Sequence, residues 1–212
     1  LCLGVSPNRS GVFSAGNGPA MRSPVLGTAI EDLDQLRQFV LASTRITHTD
    51  PKAEYGAWAV ALAARCAGNK APIEPRRYIT ELRQSLAGES ADEFLELVER
   101  AVGSHEQRES TEVFADSLGL QKGVSGYVYH TVPVVLHAWF THSQDFRSAV
   151  EAVIRCGGDT DSTAAIVGGI VGATVGKAGI PHEWLENLWE WPRTVAWIEQ
   201  LGKSLADARV LS

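Results

Sequence analysis

The segment CGGDTDST at residues 156–163 brings two carboxylates and several hydroxyls close together in the chain. Asp159 and Asp161 are two residues apart, so their side chains would not share a face inside a regular helix. At a glycine-rich turn entering a helix, however, they can converge. Carboxylate and hydroxyl oxygens suit a hard cation such as Mg²⁺ or Mn²⁺. The alternative is that one Asp caps the following helix with help from Ser162, which explains one carboxylate but not the pair.

The helix predicted after this segment is rich in glycine. Gly168, Gly172 and Gly176 are spaced by four residues and would lie on one helix face. Each costs up to about 1 kcal/mol inside a helix. Close packing of this face against another backbone would offset that cost, so we expect a central helix that holds the carboxylates at its N-terminus. A phosphate-binding loop is excluded, because Val171 and Ala178 stand where that motif needs Gly and Ser or Thr.

A second candidate segment, SAGNGPAMR, covers residues 14–22. Gly16 and Gly18 would let backbone N–H groups approach an anion. Asn17 can hydrogen-bond a base or a ribose, and Arg22 can pair with a carboxylate or a phosphate. The alternatives are an ordinary turn and, for Arg22, a structural ion pair. A Rossmann fingerprint is excluded, because Met21 replaces its third glycine.

Among the histidines, His48 in the segment THTDP stands just before a predicted helix. It is a candidate site residue, and the alternative is a capping or packing role. The other five histidines have no evident partner in the sequence and are interpreted as structural. Four tryptophans near the C-terminus are expected to contribute to the core: Trp184, Trp189, Trp191 and Trp197.

Composition narrows the classes of partner. The chain has 212 residues, of which 44% are hydrophobic, and 19 basic against 25 acidic side chains give a net charge of −6. This balance argues against nucleic acid or an anionic membrane as a partner held by bulk charge. The longest apolar run, 163–176, is too short to span a bilayer. Three widely spaced cysteines make no disulfide framework, so a cytoplasmic setting is expected.

Hydrophobic spacing predicts an all-α protein of eight to ten helices in a single domain over 1–212. Residues 1–27 are interpreted as loop with at most one short helical turn, because they are rich in Gly, Ser, Asn and Pro. The segment 127–140 is expected to be a buried helix, although its Val and Tyr content also fits a strand. Predicted helices cover 30–42, 53–66, 72–86, 90–102, 106–118, 127–140, 143–155, 161–177, 181–191 and 192–206.

Taken in order, five segments resemble the ADP-ribosylglycohydrolase family over about residues 11–200. They are GNGPAMR, THTDPKAEYGA, SGYVYHTVPVVLHAWF, CGGDTDSTAAIVGGIVGA and IPHEWL. The resemblance implies an all-α orthogonal helical bundle that holds two Mg²⁺ or Mn²⁺ ions. It also implies cleavage of the glycosidic bond between ADP-ribose and a modified side chain or small acceptor. The expected partner is therefore an ADP-ribosylated protein or small molecule.

The resemblance also assigns candidate site residues. Asp161 is expected to be the most sensitive, catalytic position. The expected metal ligands are Asp159, Asp161 and Ser162. The expected ADP-ribose contacts are Ser14, Gly16, Asn17, Gly18 and His48.

One part of the family pattern does not occur in this sequence. The Thr-Asp-Asp-Thr-like motif that supplies the other metal half-site is absent, and the chain begins at Leu1 with Met21 as its only methionine. We therefore expect a hydrolase completed by residues before Leu1 or by another chain. The alternatives are a module that binds ADP-ribose without turnover, and a structural, crystallin-like relative. The acceptor group and the oligomeric state are not determined by the sequence.

Overall fold

The computed structural model describes residues 10–69, 72–189 and 191–210. In this part of the chain it contains eleven α-helices and no β-sheet, which confirms the predicted all-α class with one helix more than the eight to ten expected. The helices are α1 (Gly18–Ala29), α2 (Leu33–Arg45), α3 (Pro51–Gly68), α4 (Pro75–Ser85), α5 (Asp92–Glu106), α6 (Thr111–Ser117), α7 (Val128–Thr141), α8 (Phe146–Arg155), α9 (Thr160–Val175), α10 (His182–Glu186) and α11 (Val195–Val210).

The alanine-rich helix α3 forms the centre of the core and is buried on almost every side. It begins as its sequence predicts, because the side chain of Asp50 accepts a hydrogen bond from the backbone N–H of Lys52 at 2.9 Å and Pro51 occupies the first turn. Helix α1 packs directly on it. A Cβ atom at Gly27 would lie 2.1 Å from the carbonyl oxygen of Ala61, so this glycine permits the close approach of the two helices.

Helix α7 is the second buried element, which settles the choice between helix and strand for 127–140. Its side chains are buried from Val128 to Phe140 apart from His130. The Trp139 ring packs edge-on against Tyr78 with centroids 5.3 Å apart. A segment that is apolar on all faces must be enclosed by other elements, and α7 lies between α3, α5, α8 and α9.

The interpretation of 1–27 as loop is wrong over α1. Asn17 stands at the N-cap and Pro19 occupies the first turn, a position that tolerates proline because its missing N–H has no helical partner. Ala20, Pro24 and Gly27 are buried against neighbouring helices. Packing against α3 therefore overrides the weak helix propensity of this composition. Residues 1–9 lie outside the described part of the chain.

The expectation that the C-terminal tryptophans form core is also wrong for three of the four. Trp189 is 94% exposed, Trp191 86% and Trp197 45%. Trp184 is half-buried against the Phe146 ring, with centroids 6.1 Å apart. The predicted helix 181–191 shortens to α10, which buries none of its residues, so this region offers no interior for the rings to enter.

The glycines of α9 do not form the single face packed against another backbone that the sequence predicts. A Cβ at Gly169 would lie 2.7 Å from Cβ of Pro24 in α1, whereas Gly168 and Gly172 face the Phe146 ring. Gly176 ends the helix in a left-handed conformation, with φ of 63°. Although α9 carries the longest apolar run, no helix in the described residues is long and apolar enough to cross a bilayer.

Candidate functional site

Residues 124–128 end the connection between α6 and α7 and include the first residue of α7; we call them the linker. The linker holds the glycine loop, residues 14–18, in place. The backbone N–H of Asn17 donates to the carbonyl of Gly126 at 2.9 Å, and the N–H of Val128 donates to the carbonyl of Ala15 at 2.9 Å. These two bonds form a short antiparallel bridge between the loop and the linker. The N-terminus of α1 is therefore fixed against the start of α7.

The same linker holds the carboxylate segment on its other side. The N–H of Val124 donates to the carbonyl of Gly157 at 3.0 Å, and the N–H of Asp159 donates to the carbonyl of Val124 at 2.7 Å. A Cβ at Gly158 would lie 2.2 Å from the Val124 oxygen, and the residue has a φ of 81°. Glycine is required there both for the left-handed backbone and for the close approach.

Side chains complete the contact between the two candidate segments. The amide Nδ2 of Asn17 donates to Oδ2 of Asp159 at 2.7 Å and to Oγ1 of Thr131 at 3.0 Å. Gly126 lies beside Asp159 and Asn17, since its Cβ would stand 3.2 Å from Asp159 Oδ2 and 4.0 Å from Asn17 Oδ1. We call Asn17, Gly126, Thr131 and Asp159 the junction. It brings together a loop residue and a carboxylate that are 142 positions apart.

The charge state of Asp159 follows from these contacts. Burial raises the pKa of this carboxyl, but hydrogen bonds from Asn17 and Ser162 help to outweigh burial and hold the pKa below its ordinary value. Asp159 is therefore ionised at neutral pH, which suits it to accept hydrogen bonds or to bind a cation.

Asp161 and Ser162 follow in the first turn of α9. The Asp161 side chain is exposed, and Ser162 is buried with 7% of its surface accessible. The carboxyl of Asp161 lies within hydrogen-bonding contact of Asp159. Two carboxylates this close repel each other when both are ionised, and a bound cation relieves that repulsion. The oxygen donors of these three residues thus fit Mg²⁺ or Mn²⁺.

These ligands form only a small set. Within residues 10–69, 72–189 and 191–210, no group of three or more His, Cys, Asp or Glu side chains is arranged to hold a metal ion. The described part of the chain therefore offers two carboxylates and a hydroxyl here.

His48 lies directly over the glycine loop. A Cβ at Gly16 would stand 2.8 Å from Nε2 of His48, and one at Gly18 would stand 3.3 Å from its Cε1. The Nδ1 atom lies 2.9 Å from Oγ1 of Thr47. Burial and the nearby charge of Arg22 lower the pKa of His48, which favours the neutral imidazole. The structure therefore places His48 next to Gly16 and Gly18, which are expected, like His48, to contact ADP-ribose.

Arg22 connects the glycine loop to neighbouring segments through hydrogen bonds. Its guanidinium donates to the carbonyl of Gly18 at 3.1 Å, to the carbonyl of Ser43 at 2.9 Å and to Oγ1 of Thr47 at 2.9 Å. It forms no ion pair among the described residues. These bonds tie the N-terminus of α1 to the end of α2 and to the segment that carries His48.

Three neighbours of the site were not singled out from the sequence. Gly126 and Thr131 lie in the run SGYVYHT, which contributed to the family resemblance without an assigned role. Phe13 is 79% exposed immediately before half-buried Ser14, and an exposed aromatic ring beside a glycine loop is suited to stacking on a base. An aromatic residue directly before a Gly-rich segment was the available signal for Phe13.

Comparison with known proteins agrees with this geometry. The family model for the ADP-ribosylglycohydrolases matches residues 2–212. A solved structure titled "ADP-ribosylglycohydrolase-related protein complex" superposes with a TM-score of 0.63 at 26% identity, covering 84% of this chain and 57% of the other. The fold and the family motifs therefore lead to the same group of proteins.

Two curated relatives have similar sequences. An uncharacterized protein of Archaeoglobus fulgidus is 33% identical over 89% of this chain and 58% of its own length. The ADP-ribosyl-[dinitrogen reductase] glycohydrolase of Rhodospirillum rubrum is 30% identical over 82% of this chain and 51% of its own length. The chain thus spans between half and three-fifths of the length of these two relatives. The match over nearly all of its residues shows that the chain belongs to the ADP-ribosylglycohydrolase family.

Proposed function

We propose that this chain carries the ADP-ribose loop and one metal half-site of a divalent-metal-dependent hydrolase. The reaction is cleavage of the glycosidic bond that joins ADP-ribose to a modified protein side chain or to a small acceptor. The observation that carries the proposal is the 2.7 Å hydrogen bond between Asn17 and Asp159, because it places the nucleotide loop beside the carboxylates. Membership of the family and the named activity of the Rhodospirillum relative support the same reaction class.

The substrate's pyrophosphate is assigned to the N-terminus of α1. Gly16 and Gly18 donate backbone hydrogen bonds to no other described residue, and the side chain of Asn17 does not cap the helix. The free N–H groups and the helix dipole attract an anion, which a chain with net charge −6 needs locally. Ser14 and His48 border the same loop, and Phe13 offers a surface for the adenine.

Asp159, Asp161 and Ser162 are the residues that would hold a divalent cation. When bound, Mg²⁺ or Mn²⁺ would orient the ribose hydroxyls and increase the acidity of a water molecule. A pair of ions, as the family resemblance implies, would need oxygen ligands in addition to these three.

Asp161 is the candidate catalytic residue, because it is the more exposed carboxylate of the pair. In the hydrolysis, a water oxygen bonds to the anomeric carbon while the bond from that carbon to the acceptor breaks. The acceptor leaves with a proton, and the ring passes through an oxocarbenium-like transition state. Asp159, already engaged by Asn17, keeps its position during this step.

The test uses the 212-residue chain with peptides that carry ADP-ribose on arginine or on serine. Release of ADP-ribose that requires Mg²⁺ and is lost in Asp161→Asn supports the hydrolase. Saturable binding of ADP-ribose without release contradicts catalysis by this chain and identifies a binding module. If the chain neither releases nor binds ADP-ribose, both functions are contradicted and a structural role remains.

A further inference from the structure

We propose that Thr131 is a positioning residue: it locks the side-chain amide of Asn17 so that Oδ1 faces the substrate as a hydrogen-bond acceptor. The group that this acceptor binds is a hydroxyl of the ribose next to the scissile bond. The inference deepens the proposed function and rests on it for the identity of the ligand.

The orientation of the Asn17 amide follows from its neighbours. Nδ2 lies 2.7 Å from Oδ2 of Asp159, and a carboxylate oxygen is a hydrogen-bond acceptor. Rotating the amide by 180° would put Oδ1 against this oxygen, so that two acceptors would face each other. The amide nitrogen must therefore point towards Asp159.

Thr131 engages the second hydrogen of the same nitrogen. Its hydroxyl donates to the carbonyl of Ser125 at 3.0 Å, so its lone pairs are available to accept from Asn17 at 3.0 Å. Thr131 has no exposed surface. The direction of donation thus runs from Asn17 to Thr131 to Ser125, and a buried hydroxyl in such a chain has no alternative partner in water.

With both N–H groups engaged, Oδ1 is the remaining polar atom of the Asn17 side chain. No described residue donates to it. It is also not sealed from solvent, because the buried side-chain atoms without a partner in the described chain are Arg37 Nη1, His137 Nε2 and Trp139 Nε1. Oδ1 is therefore available to a ligand.

The position of Oδ1 selects the kind of group it can bind. A Cβ at Gly126 would stand 4.0 Å from Oδ1 and 3.2 Å from Oδ2 of Asp159, so the glycine leaves space beside both atoms. An acceptor in this space attracts an O–H donor and repels a phosphate oxygen. A ribose hydroxyl fits, because it can donate to Asn17 while lying beside the carboxylate segment.

The experiment measures the affinities of ADP-ribose and ADP, both with Mg²⁺, for the wild-type chain, Thr131→Val and Thr131→Ser. ADP lacks the ribose assigned to Asn17. Valine keeps the shape of threonine but cannot accept the hydrogen bond, whereas serine keeps the hydroxyl. We expect Thr131→Val to weaken ADP-ribose binding about tenfold, the usual size of one lost hydrogen bond to a ligand. ADP binding should stay unchanged, and Thr131→Ser should restore ADP-ribose binding to within about threefold of the wild type.

Other outcomes overturn the inference. Equal ADP-ribose affinity in Thr131→Val and wild type would show that the hydroxyl positions nothing. Equal weakening of ADP and ADP-ribose would remove the assignment to the ribose, and equal losses in the Val and Ser variants would indicate a purely steric role. If the wild type binds neither ligand, the proposed function fails, and the orientation of the amide is then tested by itself.

That second test uses NMR of the unliganded wild-type chain and does not require Thr131→Val to fold. The Asn17 side-chain amide signals are assigned by their absence in Asn17→Ala. We expect both amide protons to be protected from exchange with solvent, because both donate inside the protein. Rapid exchange of either proton would contradict the locked orientation.

Discussion

The junction and the C-terminal segment 182–210 differ in how tightly their surroundings hold them. At the junction, side chains from distant parts of the sequence are joined by hydrogen bonds of 2.7–3.0 Å, and Asn17 and Thr131 are buried. In the C-terminal segment, α11 contacts α1 and is tied to Lys177 by Glu199 at 2.8 Å. Trp189, Trp191 and Trp197 stay exposed there, and Trp184 is half-buried. Hydrogen bonds that join distant segments, more than residue type alone, therefore distinguish the candidate site from the C-terminal segment.

The largest expected difference concerns two tryptophans. Trp139→Ala should lower the free energy of unfolding by about 3–5 kcal/mol, because it removes a fully buried ring that packs on Tyr78 and leaves a cavity. Trp189→Ala should change it by no more than about 0.5 kcal/mol, because that ring is 94% exposed. Urea denaturation of both variants measures the difference. Similar losses would mean that the C-terminal segment packs against the core after all.

A smaller effect is expected from pH. Burial lowers the pKa of His137 to about 4 from the ordinary 6.5, so the unfolded chain takes up a proton that the folded core excludes. Neutral His137 makes its full contribution to the free energy of unfolding above pH 6.5, and this contribution is lost as the pH falls towards 4. The full effect is about 3 kcal/mol.

Urea denaturation across this pH range measures whether stability falls with pH and whether His137 causes the fall. His137→Gln should flatten the decline relative to the wild type. His182→Gln, which changes an exposed side chain of α10, should leave the decline unchanged. A wild-type stability that rises as the pH falls from 6.5 to 4 would contradict the assignment.

Two glycines sharpen the comparison at the site itself. Gly126→Ala should weaken Mn²⁺ binding about tenfold, since the new Cβ would stand 3.2 Å from Oδ2 of Asp159 and would push on the carboxylate. The matched change Gly202→Ala in α11 meets nothing within 4 Å. It should leave Mn²⁺ binding unchanged and stabilise the protein by up to about 1 kcal/mol. Titration with Mn²⁺ and urea denaturation measure both effects, and equal Mn²⁺ affinities would place Asp159 outside the metal site.

Much of the fold could be predicted from the sequence. The pattern of apolar residues located α2 to α9, with boundaries shifted by a few residues, because burial of one face produces a helical period and burial of all faces produces a continuous apolar run. It missed α1, whose Gly and Pro residues are accepted only because α3 packs against them. It also placed the C-terminal tryptophans in the core, because periodicity cannot tell which apolar face finds a partner.

The site was only partly accessible to sequence reasoning. The residue types at Asp159 and Asp161 suggested a cation, and the family resemblance linked them to Asn17. Nothing in the spacing revealed that the linker 124–128 pairs with both segments, or that Thr131 completes the hydrogen bonds of Asn17. Such contacts depend on tertiary structure, and a short sequence segment has no periodic pattern that would predict them.

The most direct test of the account is a titration with Mn²⁺ followed by electron paramagnetic resonance, in the presence of ADP-ribose. The wild-type chain should bind Mn²⁺ saturably, and Asp161→Asn should weaken that binding at least about tenfold, because it removes one of the two carboxylates. Asp207→Asn, in exposed α11, should bind like the wild type. Absence of saturable binding, or equal affinity in Asp161→Asn and wild type, would contradict the claim that Asp159 and Asp161 form a metal half-site.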